Sequence, residues 1–133
     1  MITAVDTSVL LDVLTGDRRF GTTSRAALDR CLQEGSVVAC AAVWAEVTAA
    51  YENADEGLRV LDRIGIAFDE LDREIAVSAG RAWRSYRKSG GTRQRIMTDF
   101  LIGAHALARG DRLLTRDRGF YRAQFAGLSV LER

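Results

Sequence analysis

The chain has 133 residues, 47% of them hydrophobic, and a formal net charge of +1 at pH 7. That is the size of one domain with enough apolar material for a core, and the charge balance lacks the overall basic signature of a nucleic-acid binder. No apolar run approaches the ~20 residues that a bilayer span needs, and the N-terminus carries neither a basic region nor a cleavage-type site, so neither a membrane partner nor a signal peptide is expected.

The first strand centres on Val5 and ends at Asp6, and Ser8 to Leu14 follows as an apolar helix stopped at Gly16. Thr22 to Glu34 reads as an amphipathic helix with Ala27, Leu28, Cys31 and Leu32 on one side and Gly35 as a left-handed stop. Ser36 to Cys40 is a buried strand, Ala41 to Tyr51 a helix, Ala54 to Ile64 another, and Ile66 to Phe68 a short third strand. Asp72 to Lys88 is a long helix with Ile75, Ala79, Trp83 and Tyr86 on one face. The loop Ser89-Gly90-Gly91-Thr92 breaks it, and Thr98 or Asp99 caps a helix that runs to Arg109 and closes at Gly110. Arg112 to Thr115 is a fourth strand, Arg118 to Ala123 a helical turn, and Leu128 to Leu131 a last strand. Strands alternating with helices imply a three-layer α/β/α sandwich around a central, mostly parallel sheet of four to five strands. With no proline, no repeat and no low-complexity stretch, residues 1–133 are expected to form a single domain. Cys31 and Cys40 lack framework spacing and read as buried hydrophobes of a reduced, cytoplasmic protein.

Charge is unevenly spread. Tyr51 to Glu74 holds eight acidic and three basic residues, whereas Ile75 to Thr98 holds six basic residues and none acidic. Such asymmetry marks faces with different partners.

Four carboxylates then stand out by position. Asp6 ends the first strand, where it also suits a helix cap. Glu46 is the only charged residue among the fifteen from Val37 to Tyr51, just after a buried strand. Asp99 opens an otherwise apolar helix, a place the helix dipole favours as well. Asp117 follows the fourth strand, where it also suits an ordinary turn. Each belongs at the carboxyl edge of the sheet, where open α/β folds bind ligands. At ~4 Å and an effective dielectric near 20, each pair of such charges costs about 4 kcal/mol, so the cluster needs a cation or raised pKa values. Oxygen donors alone select Mg²⁺ or Mn²⁺, which suit phosphodiester hydrolysis.

The segments AVDTSVLLDVL, AAVWAEV, GGTRQRIMTDFLIGAHAL and LLTRDRGFY, in this order across essentially the whole chain, resemble a PIN-domain ribonuclease and, more narrowly, a VapC-type toxin of a bacterial toxin–antitoxin pair. The resemblance implies a PIN-like fold and a metal-dependent endoribonuclease of the cytoplasm whose Mg²⁺ or Mn²⁺ is held by Asp6, Glu46, Asp99 and Asp117. It implies a supporting hydroxyl at Thr115 and, less directly, at Thr7, a cognate antitoxin, a homodimer, and products with 5′-phosphate and 3′-hydroxyl ends. The family commonly has proline just before the third acid; Thr98 stands there, which removes no ligand.

Arg93 and Arg95 precede Asp99, and Arg116 flanks Asp117, so all three are placed to contact phosphates of an RNA substrate. For Arg81, Arg84 and Lys88 a solvated basic face is an equal reading. Asp12 is expected on the helix surface or in a local salt bridge. The lone histidine, His105, lies six residues past Asp99, about 240° around the helix, and is expected to pack rather than catalyse. Without a second histidine, cyclic-phosphate RNA cleavage is disfavoured.

Three rival functions compete with this one. A phosphatase of the haloacid dehalogenase type needs a second aspartate at position 8, where this chain has Ser8. A structure-specific DNA nuclease on the same fold usually carries insertions absent here. The main alternative is a non-catalytic PIN-like module that binds RNA or protein; such modules typically lose acids from the quartet, and this chain keeps all four.

Overall fold

A computed structural model describes residues 1–92 and 95–131. Five strands form one sheet: β1 (Ile2–Val5), β2 (Ser36–Cys40), β3 (Ile66–Asp69), β4 (Arg112–Leu114) and β5 (Val130–Leu131). Their order is β3-β2-β1-β4-β5, and every pairing is parallel. Seven helices connect them among the described residues: α1 (Thr7–Thr15), α2 (Gly21–Glu34), α3 (Ala41–Ala49), α4 (Ala54–Ile64), α5 (Arg73–Lys88), α6 (Met97–Arg109) and α7 (Arg118–Gln124). The expected α/β class and parallel sheet are therefore present, with the sheet parallel throughout. None of the described helices is long and apolar enough to cross a membrane.

The strand order reverses at β1. Connections from β1 run outward through β2 to β3, whereas the chain returns over α5 and α6 to place β4 on the other side of β1. Right-handed crossovers then put α1–α4 on one face and α5–α7 on the other. The reversal leaves a crevice between the carboxyl ends of β1 and β4, the switch point where open sheets bind ligands.

β1 is central because three of its four residues, Thr3, Ala4 and Val5, are buried between both neighbours. On the α5–α7 side, Trp83, Tyr86, Phe100, Phe120, Tyr121 and Phe125 form a connected aromatic cluster with ring centroids 5.0–6.4 Å apart. The α5 face read from the sequence is correct: Ile75 and Ala79 are buried, and Trp83 and Tyr86 reach Phe100. Cys31 and Cys40 are free and buried.

Three details correct the sequence reading. Gly35 is extended (φ 162°), not left-handed; a Cβ there would sit 2.0 Å from the Met1 carbonyl oxygen, so glycine is required by close approach rather than by turn geometry. Helix α6 starts at Met97 behind an N-cap at Ile96, making Asp99 its third residue rather than its cap. Asp12 is not on the surface: it is buried and bonded to Arg116, 104 residues away.

Candidate active site

Strand pairing builds the centre of the site. Val5 is in register with Leu114, so the next residues, Asp6 and Thr115, emerge side by side at the switch point. The Asp6 amide continues the ladder by donating to the Leu114 carbonyl at 3.0 Å. The Thr115 hydroxyl, fully buried, donates to Asp6 Oδ2 at 2.7 Å and accepts from the Asp117 amide at 3.0 Å. One hydroxyl thereby fixes the rotamer of the first acid and the position of the fourth. Asp6 occupies the N-cap position of α1, yet its side chain makes no capping bond there.

The other acids arrive on helices. Glu46 extends from the second turn of α3 and accepts from the Thr7 hydroxyl at 2.7 Å. Asp99, in the first turn of α6, accepts from the Ile96 amide at 3.2 Å, which steadies the helix entry and leaves its other oxygen to the cleft. Asp117 is half-buried and paired with the Arg95 guanidinium, which also lies 4.2 Å over the Phe120 ring. All four acids, with Thr7, Ser8, Leu11, Arg95 and Arg116, line one cleft of about 490 Å³.

The electrostatics of the cleft are strained where burial is greatest. Desolvation, opposed by the Thr115 hydrogen bond and reinforced by the nearby charges of Asp99 and Glu46, pushes the Asp6 carboxyl up from 3.8 to about 6. Burial, together with the charges of Asp6, Asp99 and Asp117, also pushes the Tyr121 phenol far up, so it stays protonated beneath the acids.

The donor set suits a hard divalent cation: carboxylate oxygens and a hydroxyl, with a buried carboxyl whose ionisation a cation would favour. No formed cage is present, however. Among the described residues no three His, Cys, Asp or Glu side chains converge closely enough to hold an ion. Like charges repel, and two of the acids are occupied, Glu46 by Thr7 and Asp117 by Arg95.

The basic residues divide. Arg95 is in the cleft. Arg116 lines it too, but its guanidinium is engaged from behind, donating to Asp12 Oδ2 at 2.7 Å and Oδ1 at 3.1 Å while lying 4.1 Å over the Phe20 ring. Ser24 donates to Asp12 Oδ2 as well, at 2.8 Å. Arg93 lies outside the described residues. His105 is buried and bonded through Nε2 to Asp69 at 2.8 Å, as a packing residue should be.

Sequence reasoning missed Tyr121 and the clamp on Arg116. The signal for Asp12 was present, since it is the only charge in the apolar run Val9 to Leu14, the same pattern that singled out Glu46.

The PIN-domain family model matches residues 3–126. This chain belongs to the PIN-domain family. Solved structures of the same fold include a chain of the VapBC2 complex from Rickettsia felis, crystallised with promoter DNA, at a TM-score of 0.75 and 16% identity, with 98% of each chain covered. A toxin–antitoxin complex from Klebsiella pneumoniae matches at 0.63 and 21% identity, over 98% of this chain and 96% of that one. VapC20 from Mycobacterium tuberculosis, a toxin that cleaves the sarcin–ricin loop, matches at 0.63 and 14% identity, over 96% of this chain and 98% of that one. No curated protein matches this sequence. The resemblance to VapC-type PIN toxins therefore holds at the level of family and fold.

Proposed function

We propose that this PIN domain is a Mg²⁺- or Mn²⁺-dependent endoribonuclease, the toxin of a toxin–antitoxin pair. The observation that carries the reading is the convergence of Asp6, Glu46, Asp99 and Asp117 on one cleft at the strand-order switch point, with Asp6 buried and its ionisation disfavoured. The four acids would hold the metal, which when bound supplies a water acidic enough to give hydroxide and neutralises charge developing on the phosphate. The chain's own contributions are positional. Thr115 holds Asp6 and the Asp117 backbone in register, Thr7 holds Glu46, and Arg95 binds a phosphate once released from Asp117. Arg116 gives the cleft wall a stationary guanidinium whose charge is largely offset by Asp12. Water attacks phosphorus and the 3′ oxygen leaves, giving a 5′-phosphate and a 3′-hydroxyl.

The fold shared with chains of toxin–antitoxin complexes supports a cognate antitoxin as partner, and the same family reading carries a homodimer as a single-domain protomer. A second reading has two observations in its favour: with Asp117 already neutralised by Arg95 and no formed cage among the described residues, the chain would be a non-catalytic RNA- or protein-binding module.

RNA cleavage by wild-type protein and Asp6→Asn, in EDTA, Mg²⁺ and Mn²⁺, decides between them. Cleavage that needs metal and disappears in the variant is expected. Absence of both cleavage and metal binding would overturn the nuclease and leave the module.

A further inference from the structure

A second cavity, of about 610 Å³, adjoins the acid cleft and shares Arg95 with it. We infer that this cavity binds an unstacked nucleobase of the strand whose phosphate occupies the acid cleft, an inference that rests on the ribonuclease reading for the identity of its ligand. Apart from Arg95, nothing in the proposed hydrolysis uses its walls. They are Trp83 and Arg87 from α5, Thr92 from the loop, and Ile96 and Met97 at the start of α6.

The chemistry of those walls is specific to a flat, polar-edged ring. The Arg87 guanidinium already lies 5.4 Å over the Trp83 indole, so a planar cation and a planar aromatic stand together. Single-stranded RNA is recognised by stacking its splayed bases on such aromatic and guanidinium planes. Ile96, a large aliphatic side chain 54% exposed, and the half-buried Met97 offer apolar contact, and the Thr92 hydroxyl, 3.2 Å from the Tyr86 hydroxyl, keeps hydrogen-bonding capacity for a base edge. A phosphate alone has no use for the apolar wall, and a purely apolar ligand has no use for two guanidiniums. Arg95 decides the ligand: standing on the wall common to both cavities, it links the chemistry for a phosphate to the chemistry for the base beside it.

The cavity is also built rather than incidental. Gly90 takes φ +82°, and Gly91 packs so closely on Tyr86 that a Cβ would lie 2.4 Å from its ring. The Thr92 amide then donates to the Tyr86 hydroxyl at 2.9 Å. Tyr86 thus ties the rim of the cavity to the aromatic core before any ligand arrives.

Binding in EDTA separates this inference from the nuclease reading, because it needs neither metal nor cleavage. The chain has two tryptophans, so Trp44→Phe leaves Trp83 as the sole reporter. A random-sequence RNA 8-mer pool should quench Trp83 and bind about tenfold more tightly than an abasic ribose-phosphate 8-mer. Trp83→Leu should abolish that preference. Arg87→Lys, which keeps the charge on an exposed residue but loses the plane, should reduce it several-fold with the abasic affinity unchanged. Equal binding of the two oligomers, unaltered Trp83 emission, or a preference left undiminished by Arg87→Lys would overturn the base site. So would displacement of Trp83 signal by a phenylalanine-bearing peptide with none by RNA. Failure of metal-dependent cleavage with base-dependent binding intact would instead sink the nuclease and keep the pocket.

Discussion

The two arginines that border the acid cleft are held in opposite ways. Arg116 leaves β4 and turns back beneath α1, where buried Asp12 takes it in a two-point grip and Phe20 covers its face. Arg95 stands at the entrance to α6 and is paired forward, across the cleft, with half-buried Asp117. Both are arginines beside an acid of the quartet, and both lie over an aromatic ring. The difference is the burial of the carboxylate partner. Asp12 is 3% exposed and has no water to fall back on, whereas Asp117 does. A charge pair closed off from solvent becomes architecture, and one left at the mouth stays exchangeable.

The largest effect is therefore expected on the buried side. Asp12→Ala strands a half-buried guanidinium and removes the acceptor of Ser24, which should cost about 3 kcal/mol, the lower end for breaking a buried pair because Arg116 can partly rehydrate. Urea unfolding of the variant, beside Asp12→Ala/Arg116→Met, measures it. The double variant should recover part of the loss. A single variant within 0.5 kcal/mol, on the order of an inconsequential surface change, would mean that Arg116 is as free as Arg95.

Asp6 sharpens the same contrast between buried and open charge through pH. Folded, in EDTA, it keeps its proton up to about pH 6, while the unfolded chain releases it near 3.8. Between those values the folded state binds more protons, so stability falls as pH rises, and by pH 7 the accumulated cost is up to about 3 kcal/mol. Below pH 4 the cost is absent. Asp6→Asn, still able to accept from Thr115, should be more stable than wild type at pH 7 and equal to it near pH 4. Added Mn²⁺ should lift the wild type alone. Parallel pH curves for the two proteins would show that burial imposes no such penalty.

What the sequence made legible follows the same division. The strand-terminal acids were readable because a buried parallel strand has one exit, and Asp6 and Asp117 mark two of them. Glu46 was readable because a lone charge in an apolar run needs a reason. Asp12 satisfied that rule equally, but its reason lay 104 residues away, and a contact at that separation leaves no local trace. For the same cause Arg116 and Arg95 looked alike: both follow from chain position, and only packing shows that one partner is sealed. The start of α6 was misplaced by two to three residues because Asp99 looks like a cap from sequence, while its carboxylate in fact reaches back to the Ile96 amide from inside the first turn. Gly35 was recognised as necessary on the wrong ground, since the approach of Met1 is a tertiary fact.

The smallest effect is expected at the mouth, and it is the most informative for mechanism. Arg95→Gln removes a pair between side chains that are 29% and 39% exposed, so the loss of stability should stay below about 1 kcal/mol. That same interaction is what Asp117 must give up to face a cation. Releasing it should tighten Mn²⁺ binding by up to about fivefold, the equilibrium worth of an exchangeable pair at the surface. RNA affinity should move the other way, because the proposed phosphate contact is lost. Calorimetric titration of Mn²⁺ into the two proteins, followed by RNA binding, reads both signs. Mn²⁺ affinity that falls in Arg95→Gln would place the guanidinium on the side of the metal rather than against it, and the exchange at Asp117 would then have to be abandoned.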